Sequence, residues 1–454
     1  MKIYKLTAIL LLISALIGCS GNDEFKTAFI EGSFSVADSI DSSRDFSGIG
    51  LTIVKRDSSN ADADTLFHQV TDSTGKFRGE ARFKDRRQYS ALISRNERNL
   101  ARFGLILADR DTIKIRGELP NLENSIEVES REHNAMEVFQ RINRGFQRVA
   151  AFAQAGRLTG DSLNTELNKW SNLYWEVYQN HEGTLASQMA ASESVRLLQG
   201  WNDEAMMSKI RSVQDKDELV SLGATYGKSY LAGEKGLDYT LQYLDTLQNN
   251  SNSQDSEMRV TMERIKLLYD SARVEQAKQL LLQFEQSYPE NRNAQSWAEA
   301  ISYDLNYLSP GDTIPSFSFE VNGNTFSRDS LMGTPYILEI TTLANRLYQD
   351  QYDRTVAIHS LYKNFGLQVI TIPLDNSQVT VDAFFEARGI KPWPVAPAQA
   401  FERQELLELF NVRVIPTRFL IDRQGRIIRK YVGREYTDVI QGIQTIIKQD
   451  NSPS

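Results

Sequence analysis

The prolines of this 454-residue chain are distributed unevenly, and their distribution constrains its fold more than any other feature. Between Pro120 and Pro310 there is one proline, Pro289, whereas eight of the eleven prolines lie within residues 309–449. Proline removes a backbone donor and clashes with the preceding helical turn, so a long stretch nearly free of it favours helix. We therefore expect a helical middle, residues 131–308, followed by a domain of different construction. At roughly 100–200 residues per domain, the length predicts two to four domains.

The first residues have the composition of an export signal. Lys2 and Lys5 precede an apolar run, Leu6 to Ile17, that is too short to cross a membrane as a helix. The run leads directly to Gly18 and Cys19. The order Leu16-Ile17-Gly18-Cys19 resembles the lipobox of bacterial lipoproteins, whose cysteine is acylated and becomes the mature N-terminus.

This resemblance implies a lipoprotein signal peptide over residues 1–18 and a lipidated tether over residues 19–26. Cys19 would then attach the chain to a membrane of the cell envelope, since acyl chains bury about 0.8 kcal/mol per CH₂ group. Ser20 after the cysteine implies the outer membrane rather than the inner one. The alternative is an ordinary secretory signal with an incidental cysteine.

The charge balance excludes one class of partner. Lys and Arg total 51 against 59 Asp and Glu, a formal net charge of -8. A general nucleic-acid binder needs a basic surplus to displace phosphate counterions, so we expect no nucleic-acid partner. Between Arg82 and Glu118, however, ten basic residues stand against five acidic ones. Either this segment forms a patch facing lipid phosphates or an acidic glycan, or its charges are solvated strand faces and hairpin tips.

Residues 27–120 have the pattern of an antiparallel β domain, a sandwich or barrel. Short runs rich in β-branched residues, such as Gly50–Val54, alternate with turn signals such as Asp72–Gly75. The stretch from Asp72 to Gly79 resembles the small β domain that precedes thioredoxin-like domains in envelope lipoproteins.

Residues 131–308 show apolar residues at helical spacing. The segment Leu267 to Asn291 resembles one tetratricopeptide-like hairpin, but no second copy follows at the expected period, so a repeat array is not predicted. The helical middle is therefore either a spacer that packs on its neighbours or a peptide-binding groove.

Residues 309–449 alternate strand and helix, in a βαβ then ββα order that is typical of a mixed α/β sheet. Two runs of this segment carry a resemblance: Lys391-Pro392-Trp393-Pro394 and Phe410 to Asp422, which contains Val414-Ile415-Pro416-Thr417. With Pro310-Gly311-Asp312, they are similar to the thioredoxin-like domains of the thiol–disulfide interchange and peroxiredoxin-related class. The likeness spans roughly a third of the chain and implies a cis peptide bond before Pro416.

The same resemblance makes the absence of cysteine decisive for function. Active members carry a CxxC that opens the helix after the first core strand, where the helix N-terminus lowers the thiol pKa. The chain has one cysteine, Cys19, and the equivalent stretch here places Asn345 and Tyr348 at the two cysteine positions. A peroxidase of this class would need the pattern Thr-x-x-Cys, but here Thr342-Leu343-Ala344 is followed by Asn345. A copper chaperone would need two cysteines, which this segment lacks. We therefore predict no catalytic residue, no metal and no cofactor in this domain.

Other elements of the thioredoxin-like pattern are retained. Ile415, Pro416, Thr417 and Trp393 are the residues that would line a groove holding an extended peptide by strand-like hydrogen bonds. Alternatively they only preserve the fold. Glu339 aligns with a buried acid of active members, and an unpaired buried carboxylate costs stability. We therefore expect Glu339 to be paired with a cation or to reach water.

These observations predict a membrane-anchored envelope lipoprotein whose redox-inactive thioredoxin-like domain is a binding or assembly module. Its partners would be the membrane, through Cys19, and a protein or peptide. The alternatives are a member of the thiol–disulfide oxidoreductase family by fold, and an enzyme of another class whose site the sequence does not reveal. No phosphate loop, nucleophile elbow or His-Glu zinc motif supports the last alternative.

Overall fold

The computed structural model describes residues 25–450, apart from 40–41, 56–63, 97 and 390. The predicted signal peptide and Cys19 lie outside the described residues. The chain divides into two compact units, and the boundary in the sequence lies between Met207 and Ser208. No helix of the described residues is long and apolar enough to span a bilayer.

The N-terminal unit begins with eight strands that form two four-stranded sheets. The sheet orders are β4-β1-β7-β8 and β3-β2-β5-β6. The strands are β1 (Lys26–Val36), β2 (Ile49–Lys55), β3 (Asp64–Val70), β4 (Lys76–Phe83), β5 (Arg87–Arg95), β6 (Arg98–Leu107), β7 (Thr112–Leu119) and β8 (Glu127–Glu129). Inward side chains of both sheets, such as Ile30, Ile53, Ala91 and Ile113, share one hydrophobic core. The two sheets therefore form a sandwich.

The prediction of a wholly antiparallel β domain is wrong at one pair of strands. β1 and β7 run parallel, with Phe29 opposite Thr112 and Val36 opposite Leu119. Antiparallel pairing is the rule for strands joined by a short hairpin. β1 and β7 are far apart in the chain, so the path of the intervening strands decides their direction. Local sequence patterns carry no information about that path.

The outer face of the β4-β1-β7-β8 sheet alternates in charge. Arg78, Glu31, Lys114 and Glu129 are successive neighbours across four strands. Opposite charges on adjacent strands stabilise a sheet modestly, by roughly 0.2–1 kcal/mol per pair. For this part of the basic segment, the arrangement favours the interpretation of solvated strand faces.

Helices complete the N-terminal unit. They are α1 (Leu122–Ser125), α2 (Arg131–Gln154), α3 (Gly160–Asn180) and α4 (Leu185–Arg196), and α5 (Asp203–Arg211) contains the unit boundary. Glu132 ties the start of α2 to the start of α4, because its Oε2 accepts a hydrogen bond from the Leu185 amide at 2.8 Å. Burial raises the pKa of the Glu132 carboxyl. Its neighbour Arg86, with Nη1 at 3.7 Å from Oε1, acts in the opposite direction.

The C-terminal unit opens with helical hairpins. They are α6 (Lys216–Leu222), α7 (Lys228–Glu234), α8 (Leu237–Asn250), α9 (Gln254–Asp270), α10 (Val274–Ser287) and α11 (Arg292–Tyr307). Side chains of the last three, among them Ile265, Leu281 and Ala298, pack into a common core. The predicted tetratricopeptide-like segment corresponds to the end of α9 and the whole of α10.

A mixed four-stranded sheet follows, ordered β12-β11-β13-β14, together with a separate β9-β10 hairpin. β11 runs parallel to β12 and antiparallel to β13, and β13 runs antiparallel to β14. The strands are β9 (Ser318–Val321), β10 (Asn324–Ser327), β11 (Tyr336–Thr341), β12 (Gln368–Pro373), β13 (Thr417–Ile421) and β14 (Ile427–Val432). The helices are α12 (Arg346–Tyr362), α13 (Gln378–Glu386), α14 (Arg403–Leu409) and α15 (Val439–Asp450).

This sheet is buried on both faces, as expected for strands that consist mainly of apolar residues. Leu338 and Phe419 pack into one core, and Ile337 and Leu420 pack into a second core on the opposite face. All six residues of β11 are buried.

A buried ion pair joins the helical hairpins to this sheet. Lys430 of β14, which is 3% exposed, donates to both carboxylate oxygens of Asp304 in α11, at 2.7 and 2.9 Å. Asn411 bridges the two, since its amide donates to Asp304 Oδ1 at 2.8 Å and its carbonyl oxygen accepts from Lys430 at 3.0 Å. Burial lowers the pKa of Lys430, and the charge of Asp304 opposes that shift.

The boundary between the units falls inside the stretch predicted as one helical domain. α2 to α4 belong to the unit that holds the sandwich, and α6 to α11 belong to the unit that holds the mixed sheet. The predicted domain limits, 27–120, 131–308 and 309–449, remain predictions about which segments fold alone.

Candidate functional site

The candidate site lies where β11 ends and α12 begins. β11 and β12 are parallel neighbours, so their carboxyl ends meet at one edge of the sheet, where α/β proteins place ligands and reactive groups. The loop from Thr342 to Asn345 crosses this edge. Asp375 holds the loop there, because its Oδ2 accepts a hydrogen bond from the Leu343 amide at 2.9 Å.

Asn345 occupies the N-cap of α12. Its Oδ1 accepts from the Tyr348 amide at 3.0 Å, which satisfies a donor that the helix leaves open. This cap fixes the start of α12 at Arg346. At the position where the resemblance places the first cysteine, the Asn345 side chain therefore caps a helix.

The side-chain amide of Asn345 also reaches the loop that precedes β13. Its Nδ2 donates to the Ile415 carbonyl oxygen at 3.2 Å. The peptide bond between Ile415 and Pro416 is cis, which confirms the prediction made from the resemblance. Asn345 therefore connects the start of α12 directly to the cis-proline loop.

Neighbouring carbonyls of the cis-proline loop also have partners within the chain. The Thr417 hydroxyl donates to the Val414 carbonyl at 2.7 Å, and the Gly433 amide donates to the Pro416 carbonyl at 2.8 Å. Three successive carbonyl oxygens of this loop thus accept hydrogen bonds from the protein itself. An incoming peptide strand would have to compete with these contacts.

Three of the four predicted groove residues are buried. Pro416 and Thr417 are covered, and Trp393 is 5% exposed, whereas Ile415 is half-buried. The Trp393 indole finds its acceptor inside the protein, since Nε1 donates to Thr371 Oγ1 at 2.8 Å. The structure therefore places Trp393 in the core rather than on an open surface, because its polar nitrogen is satisfied there.

Tyr348, predicted at the second cysteine position, is fully buried. Its ring packs against Tyr352 and Phe384, and its hydroxyl donates to Glu339 Oε2 at 3.3 Å. Burial raises the pKa of Tyr348 well above its usual value, and the charge of Glu339 adds to the effect. The tyrosine fills the interior beneath the helix start and presents no reactive group to solvent.

Beneath this site lies a buried ion pair. Glu339 of β11 and Arg418 of β13 are directly opposite each other in the antiparallel register, and their side chains are 0% and 1% exposed. Arg418 Nε donates to Glu339 Oε1 at 2.6 Å. Thr371 donates to Glu339 Oε2 at 2.9 Å. The prediction that Glu339 has a cationic partner or reaches water is confirmed, and the partner is Arg418.

The guanidinium of Arg418 is enclosed by side chains of α12 and of the segment before α15. Nη1 donates to Gln351 Oε1 at 2.7 Å, and the guanidinium carbon lies 4.0 Å from the centroid of the Tyr436 ring. Nη2 has no hydrogen-bond partner among the residues that the structure describes. Burial raises the pKa of Tyr436 to about 12.

Sequence reasoning found Glu339 but missed Arg418. The available signal was an arginine inside the run Thr417–Ile421, whose remaining residues fit a buried strand. A cation at such a position requires an acidic partner across the sheet. The register that selects Glu339 as this partner is a property of the folded sheet.

The solvent side of the site is apolar. Val414 is 49% exposed in the cis-proline loop, and Leu347 is partly exposed in the first turn of α12. Both side chains flank Gly433: an added Cβ there would lie 3.6 Å from Val414 and 3.9 Å from Leu347. We call Leu347, Val414 and Ile415 the apolar rim.

A cavity of about 440 Å³ lies beside the site, at the carboxyl end of β12. Its lining includes Asp375, Glu402 and Arg403. Asp375 is engaged with the Leu343 amide, and Arg403 Nη1 donates to the Leu374 carbonyl at 3.2 Å. Within the described residues, no group of three or more His, Cys, Asp and Glu side chains is arranged to hold a metal ion.

Comparison with known proteins gives partial matches. No model of a known protein family matches the chain. The thiol-disulfide oxidoreductases ResA of Bacillus thuringiensis (strain Al Hakam) and Bacillus anthracis are each 27% identical over 85 residues, 19% of this chain and 47% of those proteins. ResA of Bacillus subtilis (strain 168) is 20% identical over 142 residues, 31% of this chain and 77% of that protein. The chain spans about half the length of the curated relatives first named.

Solved structures show the same class of neighbour. A putative thiol:disulfide interchange protein DsbE from Chlorobium tepidum has 22% identity and a TM-score of 0.28, covering 31% of this chain and 98% of that one. A putative thioredoxin from Neisseria meningitidis has 23% identity and a TM-score of 0.27, and the match covers 31% of this chain and 93% of that one.

The sheet order β12-β11-β13-β14, the cis-proline before β13 and the curated relatives together identify a thioredoxin-like domain. The alignments with the curated relatives extend over 19–31% of the chain. The relatives and neighbours are described as thiol-disulfide oxidoreductases and interchange proteins.

Proposed function

We propose that this chain is a membrane-anchored lipoprotein of the cell envelope whose thioredoxin-like domain does not turn over thiols and acts as a binding or assembly module. The observation that carries the proposal is the double role of Asn345. Its amide caps α12 and bonds the Ile415 carbonyl, at the position where the resemblance places a nucleophilic thiolate. An amide is neither a redox group nor a nucleophile for a disulfide, which requires a thiolate.

The ion pair beneath the site supports the same proposal. In a proton-transfer role, Glu339 would have to exchange a proton with a group at the surface of the site. Here its Oε1 is bonded to Arg418 and its Oε2 to Thr371, and the carboxylate is enclosed. The pair suits a rigid scaffold better than a group that changes its protonation state during turnover.

The apolar rim is the surface by which we expect the module to bind a protein partner. Leu347, Val414 and Ile415 lie at the solvent side of the site, while the backbone carbonyls of the loop are occupied. Binding would thus depend on apolar contact rather than on addition of a strand. Localisation follows from the proposed acylation of Cys19, in the outer membrane rather than the inner one.

The redox part of the proposal is tested by an insulin-reduction assay of the full chain in the presence of dithiothreitol. We expect a rate equal to that of dithiothreitol alone, because no thiol of the described residues is available for exchange. A thioredoxin added to the same assay provides the positive control. A measurable acceleration by this chain would contradict the proposal and favour a thiol–disulfide oxidoreductase.

The binding part is tested by crosslinking the anchored chain in envelope membranes and identifying the captured protein. Val414→Asp is expected to reduce capture by about tenfold, the effect of losing about 1.4 kcal/mol of contact. Leu361→Asp is the matched control: Leu361 is 67% exposed in the last turn of α12, far from the rim. Equal capture by both variants would show that the rim does not bind the partner.

A further inference from the structure

The proposed function leaves the start of the β-sandwich unexplained, although that region carries two exposed phenylalanines. Phe25 is 60% exposed and Phe29 is 38% exposed. Arg82, Lys84 and Arg110 are exposed beside them. We call these five residues the N-terminal corner.

Strand pairing places most of the corner on one face. Successive side chains of a strand point to opposite faces. Ala28 and Ile30 of β1 point into the core, so Thr27 and Phe29 point outward. In β4, Arg82 lies opposite Thr27, and the exposed Lys84 directly follows the end of the strand. The Lys84 Nζ lies 5.5 Å from the centroid of the Phe25 ring.

The turn before β7 adds the third cation. Arg110 bonds to β1 through its backbone, since its amide donates to the Thr27 carbonyl at 2.7 Å. Its side chain is 90% exposed. The acidic neighbours are Glu80, opposite Phe29, and Asp85 and Asp111, which follow Lys84 and Arg110 in the chain. A fourth is Asp109, whose Oδ1 accepts from the Thr27 amide at 3.2 Å and whose Oδ2 lies 3.7 Å from Arg110 Nε. The corner therefore combines two exposed aromatic rings with three exposed cations, of which Arg110 is paired with Asp109.

The position of the corner in the chain limits where it can lie. Phe25 is six residues after Cys19, and an extended chain spans at most about 3.3–3.6 Å per residue, about 21 Å in all. An acyl group on Cys19 would consequently keep the corner within that distance of the lipid surface. The opposite end of the sandwich, around Ser35, lies eight residues beyond Thr27 along β1, or about 27 Å.

We infer that the N-terminal corner rests on the phospholipid headgroups, with Phe25 and Phe29 in the interface and Arg82, Lys84 and Arg110 facing lipid phosphates. The inference rests on the proposed anchor at Cys19. Aromatic side chains flanked by cations suit the boundary between headgroups and acyl chains. Beside an acyl anchor, exposed cations add electrostatic attraction to an anionic lipid surface.

The test uses the full chain, reconstituted in vesicles of phosphatidylcholine alone or mixed with phosphatidylglycerol. Because the chain has one cysteine and the anchor would block it, a single added cysteine reports on one site. A fluorophore on Thr27→Cys reports on the corner. Ser35→Cys is the control, on the same strand and the same face, and both side chains are half-buried. Nitroxide-labelled lipids quench the fluorophore that lies near the bilayer.

We expect the Thr27→Cys label to be quenched several-fold more than the Ser35→Cys label in the mixed vesicles. Each cation near an anionic surface changes the ratio of docked to undocked chains by about fivefold. Arg82→Gln combined with Lys84→Gln should therefore reduce this ratio by about 25-fold. Lys76→Gln with Arg78→Gln, at the other end of β4 on the same face, should leave the quenching unchanged.

The outcomes separate the two proposals. If the chain fails to float with vesicles and Cys19 reacts with maleimide, the proposed anchor is wrong, and the inference falls with it. If the chain floats but both labels are quenched equally, the anchor stands and only the inference is overturned. If added dextran sulfate shifts the Thr27→Cys label while vesicles do not, the corner binds a polyanionic glycan, which also overturns the inference.

Discussion

Replacement of Arg418 by methionine is expected to lower the free energy of unfolding of the C-terminal unit by about 3–5 kcal/mol. Removing one member of a buried ion pair leaves the other charge without compensation in a medium of low dielectric constant. Glu339 is fully buried, and after the substitution only hydroxyl donors such as Thr371 and Tyr348 would remain at its carboxylate. Urea denaturation followed by far-ultraviolet circular dichroism measures the change in midpoint.

The double variant Glu339→Gln with Arg418→Met separates loss of the charge pair from loss of packing. Glutamine still accepts from Thr371, and no net charge is left in the core. Replacing both members of a buried pair is often close to neutral. We therefore expect the double variant to be markedly more stable than Arg418→Met alone. If it is equally unstable, the contribution of Arg418 is packing against Tyr436, and our account of the pair is wrong.

The second large effect is expected at the ion pair between α11 and β14. Lys430→Met should destabilise the C-terminal unit by about 3–5 kcal/mol, because Asp304 would retain Asn411 as its side-chain donor and lose its charged partner. Since Asp304 lies on α11 and Lys430 on the thioredoxin-like sheet, the pair also joins the helical hairpins to that sheet. We expect amide hydrogens of α11 to exchange faster in the variant, which mass spectrometry of its peptides will detect.

Arg429→Met provides the control for this second prediction. Arg429 is the preceding residue of β14 and lies 3.2 Å from Asp270, but its side chain is 22% exposed. Partly exposed ion pairs contribute about 1 kcal/mol or less. If Arg429→Met lowered the free energy of unfolding as much as Lys430→Met, burial would not distinguish the two ion pairs. Unchanged exchange in α11 would mean that Asp304 and Lys430 do not couple the helices to the sheet.

Much of the fold could be predicted from local sequence patterns. Short runs rich in β-branched residues between turn signals indicated the strands of the sandwich, and the βαβ then ββα order of residues 309–449 indicated a mixed sheet. The proline-poor stretch indicated helices, which the structure contains throughout residues 131–307 except for short turns.

The candidate site was predictable only where one residue carries the information. The missing thiol and the cis peptide bond at Pro416 each depend on a single residue type that the sequence shows directly. The environment of Trp393 was not predictable, because its burial depends on an acceptor, Thr371, that a neighbouring strand supplies. The bond between Asn345 and Ile415 likewise joins residues that are far apart in the chain.

The amino-acid sequence by itself determined that residues 309–449 contain no cysteine, and no fold can supply a thiol that the sequence lacks. It also determined where strands and helices form, because those depend on neighbours a few residues apart. Only the tertiary structure decided that β1 pairs parallel to β7, that Arg418 neutralises Glu339, and that Asn345 closes onto the cis-proline loop. Each of these depends on which strands become neighbours, and that is settled by packing of the whole unit rather than by any local pattern.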